Sequence, residues 1–539
     1  MGDSKHDPLT TQNPPTRIAG ILRQLGPGMI IAGSIVGSGE LIATTKTGAE
    51  AGFWLLWLIL IGCLIKVFAQ VEFGRYSVVT GKTTMAGLAE VPGPRIAGRG
   101  NWIVWYWFIM FMASISQLGG IVGGVGQALA ISMPITAAGR AFNEYVDMRT
   151  ELKVKRAELQ RSRQLHVGAG PDDVVGRVKE LELRLARADQ QWIHKLGAAR
   201  FAQLGNRPPA PHDDRIWATV IAAVTVVILV VGRYGVIQAF STAMVALFTL
   251  VTIVNLFLLQ ANPTWMVSWR DIVQGLSFRL PPVVSHVQGT AVATALATFG
   301  IIGVGAAELI AYPYWCLERG YARCTGPRDS TVGWVARARG WMRVMRWDAW
   351  CSAIVYTFAT LAFYFLGAAI LGRTGLDPAK EDMIRTLAVM YEPVFGRGAE
   401  ALFLFGAFAV LYSTYFVANA GHARVFSDAL RVMGLGDQTP AQYRRRVRLL
   451  SGLFPALCLL VYVAFPTPAA LVLLGGLMQA IMLPMLAAAA LFFRYRRCDR
   501  RIRPGRFWDL FLWISAAGMA IAGFWALWSK IVSLGSFFA

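Results

Sequence analysis

The chain has 539 residues, of which 55% are hydrophobic and 15% are charged, and its mean hydropathy is +0.48. Because an average soluble domain carries about 25% charged residues, this composition excludes an ordinary soluble protein and predicts a membrane protein. The formal net charge is +21. It does not indicate a nucleic-acid partner, because the basic residues lie mostly in short segments between apolar runs, where they set membrane orientation.

Eleven apolar runs are long enough to cross a lipid bilayer as helices, which takes about 20 residues. They predict an all-α polytopic membrane protein. In chain order we number these predicted spans 1 to 11, and they lie at 26–48, 53–77, 102–133, 215–232, 235–259, 289–315, 347–371, 398–421, 447–464, 467–493 and 507–534.

The loops after spans 6, 8 and 10 are rich in arginine, as in Arg444–Arg446 and residues 494–503. The positive-inside rule places such loops in the cytoplasm. We therefore expect residues 1–25 to form a polar cytoplasmic tail and the C-terminus to lie outside. The charge pattern favours a bacterial inner membrane.

One segment, residues 140–205, is polar and does not belong to the membrane. Its apolar residues recur at helical spacing, as at Leu152 and Leu181, and predict two amphipathic helices folded as a hairpin between spans 3 and 4. The insertion separates spans 1–3 (26–139) from spans 4–11 (206–539). It is either a peripheral insertion without a role in transport or a contact for a partner or a second copy.

Two glutamates stand alone in apolar sequence, and each precedes the same Leu-Ile-Ala triplet. Glu40 follows Gly39 in span 1, and Glu308 lies three residues after Gly305 in span 6. A carboxylate inside a membrane is costly unless it is paired, protonated or liganded. Glycines allow local unwinding, and broken helices at the membrane midplane hold the substrate sites of secondary transporters. Since spans 1 and 6 run in opposite directions, the shared motif favours an inverted repeat of five plus five spans.

Five further motifs lie elsewhere in the chain. They are Gly26–Gly28 eight residues before the span 1 motif, Gly52–Trp57, Val78–Lys82 at the end of span 2, Arg233–Gly235 between spans 4 and 5, and Leu483–Pro484 in span 10. Together they resemble the Nramp family of divalent-metal transporters, over most of the chain outside 140–205. The resemblance implies a LeuT-type fold in which spans 1 and 6 unwind around the substrate.

The metal-binding motif departs from the family pattern. The family has Asp-Pro-Gly-Asn where this chain has Gly37–Glu40, and it has Ala-x-x-Met-Pro-His in span 6. Here Ala307 takes the place of the Met, Glu308 of the Pro and Leu309 of the His. The soft sulfur that favours transition metals is lost, as it is in the Nramp-related magnesium transporters. Two carboxylates with backbone oxygens suit a hard divalent cation, Mg²⁺ or Mn²⁺.

We therefore expect a secondary transporter that imports such a cation by alternating access and that needs no cofactor. The expected ligands are Glu40, Glu308, Gly37, Ser38 and Val304. The expected helix breaks lie at Gly39, Gly305 and Ala307. No catalytic constellation fits these spans, so an enzyme is not expected.

Lys66 lies well inside span 2 and allows a different substrate. If it points to the central cavity, it repels a cation and pairs with Glu40 or Glu308, which suits a small organic solute such as an amino acid or amine. If it snorkels or pairs with Glu72, it says nothing about the substrate. A membrane sensor or scaffold that no longer transports is a further alternative.

Polar residues in two late spans are weaker candidates for lining the cavity. The run Tyr412–Tyr415, which includes Ser413 and Thr414, lies in span 8, and Gln479 lies in span 10. Such residues more often join membrane helices by hydrogen bonds than bind a ligand.

Overall fold

The computed structural model describes residues 11–96, 99–164, 172–232, 235–282, 287–379, 382–435 and 439–538. These residues are almost entirely helical. Within them the one sheet is a short antiparallel pair, Arg95–Ile96 with Arg99–Asn101.

Each of the eleven predicted spans corresponds to a helical segment. Their observed bounds are Pro27–Ala51, Leu56–Thr80, Trp102–Ser132, Asp213–Val231, Gly235–Leu259, Val287–Glu318, Val332–Leu366, Ala399–Val432, Pro440–Ala464, Pro468–Phe492 and Arg506–Phe538. In the described part of the chain, nine helices are long and apolar enough to cross a membrane. The other two spans are span 1, which is not one continuous α-helix, and span 5, where the apolar helix Ala243–Leu259 is shorter. The predicted all-α polytopic architecture is confirmed.

Shorter helical segments connect the spans or extend them. The α-helical ones are Ile18–Gln24, Thr84–Leu88, Ala198–Gln203, Trp269–Gly275, Tyr321–Thr325, Met383–Ala388 and Glu392–Phe395. The 3₁₀ turns are Val389–Tyr391, Gly396–Gly398 and Arg500–Ile502, and π-helical turns follow span 7 at Gly367–Gly372 and span 10 at Phe493–Arg497.

Span 1 widens where it was expected to unwind. A π-helix, Val36–Thr44, joins the α-helices Pro27–Ile35 and Thr45–Ala51. The hydroxyl of Thr44 donates a 2.8 Å hydrogen bond back to the carbonyl of Gly39. The expectation of an unwound span 1 is therefore wrong in its local geometry, because this stretch keeps a helical backbone. Single π-helical turns are nevertheless frequent at functional sites.

Span 6 is broken at Gly305, as predicted, but the break expected at Ala307 is wrong because Ala307 lies in the first turn of the helix that follows. The halves of span 6, Val287–Ile301 and Ala306–Glu318, are separated by residues 302–305. Gly303 takes a left-handed φ of 57°, which glycine adopts without steric cost. A Cβ at Gly303 would also lie 2.9 Å from the Cα of Cys63 in span 2, so the break packs directly on that span.

The arginine-rich loops after spans 6 and 10 lie together at one end of the bundle. Arg501 donates to the carbonyl of Asp329 at 2.7 Å, and Arg339 donates to the carbonyl of Arg501 at 2.7 Å. The segment before span 1 is attached to the same end, because Trp341 Nε1 donates to the carbonyl of Gln12 at 2.9 Å.

The 140–205 insertion contains two long helices, Ala137–Gln164 and Asp172–Leu196, which run antiparallel. Buried Leu152 and Leu181 pack between them. Arg177 bridges the two helices by an ion pair with Glu151 at 2.7 Å. We call this unit the hairpin.

The hairpin packs on the segment that joins spans 7 and 8. The buried Arg385 of that segment donates to Asn143 Oδ1 of the hairpin at 2.8 Å and also pairs with Asp147. Its guanidinium lies 3.6 Å from Glu400 at the start of span 8. The hairpin is thus docked through charged groups at the end of the bundle opposite the arginine-rich loops.

Candidate functional site

Glu40 lies on the π-helix of span 1 and is fully buried. Thr360 Oγ1 of span 7 donates a 2.9 Å hydrogen bond to Glu40 Oε1. The second oxygen, Oε2, is buried without a hydrogen-bond partner among the described atoms. An unpaired carboxylate oxygen inside a protein is costly and calls for a proton or a cation.

Glu308 lies in the first turn of the second half of span 6. Its carboxylate folds back over the start of its own helix, where a Cβ on Gly305 would collide with Oε2. A negative charge at this position is favourable because the helix N-terminus carries a partial positive charge. Glu308 Oε2 is also buried without a hydrogen-bond partner among the atoms described.

Gln479 of span 10 binds the backbone at the start of the same helix. Its Oε1 accepts a 3.0 Å hydrogen bond from the backbone amide of Ala307, and its Nε2 donates to Gln117 Oε1 of span 3. Gln479, expected only as a residue that lines the cavity, therefore caps the backbone at the span 6 break. Gln117 was not anticipated, because a lone glutamine in an apolar run carries no sign of its direction.

Lys66 points into the span 6 break from span 2. Its Nζ donates to the carbonyls of Phe299 at 2.7 Å and Ile302 at 2.5 Å. It lies 5.2 Å from the centre of the Phe299 ring, and its charge interacts with both Glu40 and Glu308. The alternative in which Lys66 snorkels or pairs with Glu72 is therefore wrong.

Glu72 has other partners nearer the end of span 2. It forms an ion pair with Arg75 at 3.1 Å and accepts a 2.6 Å hydrogen bond from Trp508 Nε1 of span 11. Arg75 and Trp508 therefore satisfy the Glu72 carboxylate, and Lys66 is not its partner.

The span 1 glycines permit close packing. A Cβ on Gly37 would collide with Thr414 Oγ1 of span 8, and a Cβ on Gly39 would lie 3.0 Å from the carbonyl oxygen of Ile301 in span 6. Both glycines therefore bring the π-helix against the neighbouring spans. The side chain of Ser38 lies outside the described part of the structure, so its expected hydroxyl ligand is not placed.

The remaining predicted residues take different positions. Val304 is buried within the break itself. Tyr412 stacks on Phe408 with ring centres 5.8 Å apart, and Ser413 is buried beside Thr414. Thr414 is thus the span 8 side chain that contacts the span 1 motif. Sequence analysis missed Thr360, because threonines are common in membrane helices as packing residues.

The described residues contain no cluster of three or more His, Cys, Asp or Glu side chains that could hold a metal ion. The break instead combines two carboxylates with one ammonium. If all three are ionised, the side chains of Glu40, Glu308 and Lys66 sum to one negative charge. Such a site attracts a cation, and protein carbonyls and waters would have to supply its remaining ligands.

The family profile described as Natural resistance-associated macrophage protein-like matches residues 209–529, which is more than half of the chain. The chain belongs to the Nramp family. Among curated relatives, this Nramp chain is 30% identical to Metal transporter Nramp2 of Populus trichocarpa over 109 residues. That match covers 20% of the chain and 19% of the plant protein, so it spans about a fifth of the relative's length.

Solved structures show the fold of this Nramp chain. The manganese transporter of Eremococcus coleocola, crystallised with an aromatic bis-isothiourea compound, is 13% identical and superposes with a TM-score of 0.57, covering 99% of this chain and 96% of that one. A variant of the same transporter is 12% identical with a TM-score of 0.56, covering 98% and 94%. The expected LeuT-type transporter fold is confirmed.

Proposed function

We propose that this Nramp-family chain is a secondary transporter that imports a hard divalent cation, Mg²⁺ or Mn²⁺, by alternating access. The observation that carries the proposal is that one carboxylate oxygen of each glutamate beside the break, Glu40 Oε2 and Glu308 Oε2, is buried without a hydrogen-bond partner in the described structure. They belong to the two spans that meet at the break. The similarity to a manganese transporter and to a plant metal transporter supports a metal substrate.

In this proposal Glu40 and Glu308 are the central ligands. The carbonyls of Gly37 and Val304 and the hydroxyl of Ser38 complete the oxygen set, with waters retained by the ion. Because the π-helix keeps span 1 wound, the carbonyl of Gly37 becomes a ligand only when span 1 opens during the transport cycle. An all-oxygen set without a thioether favours hard cations over soft ones.

The arginine-rich loops at one end of the bundle support an orientation with this end in the cytoplasm. The segment before span 1 would then be cytoplasmic, and the C-terminus and hairpin would lie outside. We propose a bacterial inner membrane as the location, on the same charge pattern.

Uptake by proteoliposomes tests the ligand proposal. Glu40→Gln and Glu308→Gln should each lower Mn²⁺ or Mg²⁺ uptake by about tenfold or more, since 1.4 kcal/mol of lost binding is a factor of ten. Each variant has a control on its own span. Glu50→Gln lies at the far end of span 1, where Glu50 pairs with Lys46, and Glu318→Gln lies at the end of span 6, where Glu318 pairs with Arg424.

Both control variants should transport at near the wild-type rate. Near-normal uptake of both ions by Glu40→Gln or Glu308→Gln, in liposomes shown to hold folded protein, would remove that residue from the ligand set. Ca²⁺ uptake measured alongside reports how well the site discriminates among hard ions.

A small organic cation is the second candidate, and Lys66 is the observation that favours it. With the Lys66 ammonium in place, the site has one negative charge left, which matches an amine better than a divalent ion. Thermal stability separates the two candidates, because a ligand that binds only the folded state raises the melting temperature. A shift with an organic amine and none with Mg²⁺, Mn²⁺ or Ca²⁺ would replace the metal proposal.

A further inference from the structure

The break in span 6 creates two helix ends inside the bundle. The first half ends at Ile301 and presents unpaired carbonyls with a partial negative charge. The second half begins at Ala306 and presents amides with a partial positive charge. The first end is buried and the second is partly buried, so the backbone groups of each need a partner.

A side chain whose charge or dipole has the opposite sign contacts each helix end. The ammonium of Lys66 bonds two carbonyls at the first end, Phe299 at 2.7 Å and Ile302 at 2.5 Å. At the second end, Glu308 folds over Gly305 and Gln479 accepts from the amide of Ala307. Side chains of the protein therefore balance the partial charges of the two helix ends at the break.

The position of the Lys66 ammonium has the surroundings of an alkali-cation site. Two backbone carbonyls point at it, and the face of the Phe299 ring lies 5.2 Å away. Glu40 and Glu308 lie within electrostatic range of its charge. Backbone carbonyls are the groups with which proteins replace the hydration shell of alkali ions, and an aromatic face attracts a cation.

We infer that Lys66 is a tethered cation that fills a monovalent-cation site formed by the carbonyls of Phe299 and Ile302. While Lys66 is present, the folded protein needs no free alkali ion at the break. If the ammonium is removed, the same carbonyls accept Na⁺. The inference concerns the folded state alone and does not depend on the transported substrate.

The test compares melting temperatures of the full-length purified protein in NaCl and in choline chloride at equal ionic strength. The wild type should melt at the same temperature in both salts. Lys66→Met should melt lower than the wild type in choline chloride. It should recover on the order of 3 °C or more in NaCl, since a ligand specific to the folded state stabilises it.

Two variants serve as controls. Lys66→Arg keeps a cation at the carbonyls and should show no response to Na⁺. Lys82→Met makes the same change at an exposed lysine just after the end of span 2, where Lys82 pairs with Glu90, and should also show none. Equal melting of Lys66→Met in the two salts would overturn the inference.

Lys66→Gln covers the case in which the Met variant does not fold. Its amide still donates a hydrogen bond to a carbonyl but carries no charge, so it tolerates the buried position better. A Na⁺-specific rise in its melting temperature supports the tethered-cation role. The same melting temperature in both salts refutes it.

Discussion

The backbone amide of Gly28 donates a 2.5 Å hydrogen bond to Asp348 Oδ2 on span 7. The amide of Gly26 donates to Oδ1 of the same carboxylate at 2.8 Å, and the hydroxyl of Tyr312 donates to Oδ2 at 3.1 Å. Asp348 thus caps the first turn of span 1 from a different helix. The Gly-Pro-Gly sequence fits this role because Pro27 has no amide to satisfy and the two glycines let the carboxylate approach closely.

Gly28→Ala should destabilise the protein through this contact. A Cβ at Gly28 would lie 2.6 Å from the carbonyl oxygen of Asp348 and 2.9 Å from Oδ2. Overpacking of this kind costs about 1–3 kcal/mol, and the loss is measured by chemical or thermal unfolding. Gly33→Ala, in the same helix and with no atom within 4 Å, is the control. It should be neutral or slightly stabilising, and equal stability of the two variants would contradict the capping role.

Gly37→Ala should impair both stability and transport, because it pushes span 1 away from span 8. A Cβ at Gly37 would collide with Thr414 Oγ1 and lie 2.8 Å from Thr414 Cβ. Adding Thr414→Ala removes the hydroxyl and should recover part of the loss, with a coupling of about 0.5–3 kcal/mol for residues in contact. Ser413→Ala in place of Thr414→Ala should give no rescue. Strictly additive effects of Gly37→Ala and Thr414→Ala would show that the contact is unimportant.

Arg385→Gln should loosen the docked hairpin. The variant loses the ion pairs with Asp147 and Glu400, and we expect a cost of about 1–3 kcal/mol for the charged groups left unpaired. Limited proteolysis of the hairpin measures this loss. Arg156→Gln is the control, because the exposed pair of Arg156 with Glu182 contributes about 0–1 kcal/mol. Equal protease resistance of the two variants would place the docking energy elsewhere.

We propose that the hairpin is peripheral to transport. Replacing residues 140–205 by a short Gly-Ser linker should therefore leave cation uptake near the wild-type rate. A loss of uptake in folded protein would instead assign the hairpin a part in the transport cycle. If the intact protein does not transport, and deletion of the hairpin releases a bound partner, the hairpin is the partner-binding region of a scaffold protein.

Asp499, in the loop after span 10, should make stability depend on pH. The hydrogen bonds from Arg501 and the charge of Arg328 lower the pKa of its carboxyl from the ordinary 3.8 to about 2. A depressed pKa stabilises the folded state fully above the ordinary value, and the contribution disappears as the pH falls from about 4 through 2. Asp499→Asn should therefore melt below the wild type at pH 7, and the gap should narrow as the pH approaches 2. A constant gap between pH 7 and pH 2.5 would contradict this assignment.

The sequence by itself determined the class of this protein and the position of its break. Eleven apolar runs located the helical spans, since hydrocarbon length and the need to satisfy backbone groups dictate helices in a membrane. Span 7 nevertheless begins 15 residues before its predicted start, and span 8 ends 11 residues after its predicted end. Gly305 beside Glu308 indicated the break in span 6, because glycine allows local unwinding. The structure showed that Gly303 is the glycine with the left-handed backbone. The helical spacing in 140–205 indicated the hairpin, and the further motifs indicated the Nramp family.

Only the tertiary structure decided the directions of the buried polar groups. Lys66 meets the span 6 carbonyls, Glu308 folds onto its own helix start, and Asp348 caps span 1 from span 7. In a membrane helix both the lipid-facing and the core-facing sides are apolar, so hydrophobic periodicity does not show which way a polar residue points. Helix rotation is set by packing against neighbouring spans, and that packing brings together residues that lie hundreds of positions apart in the chain.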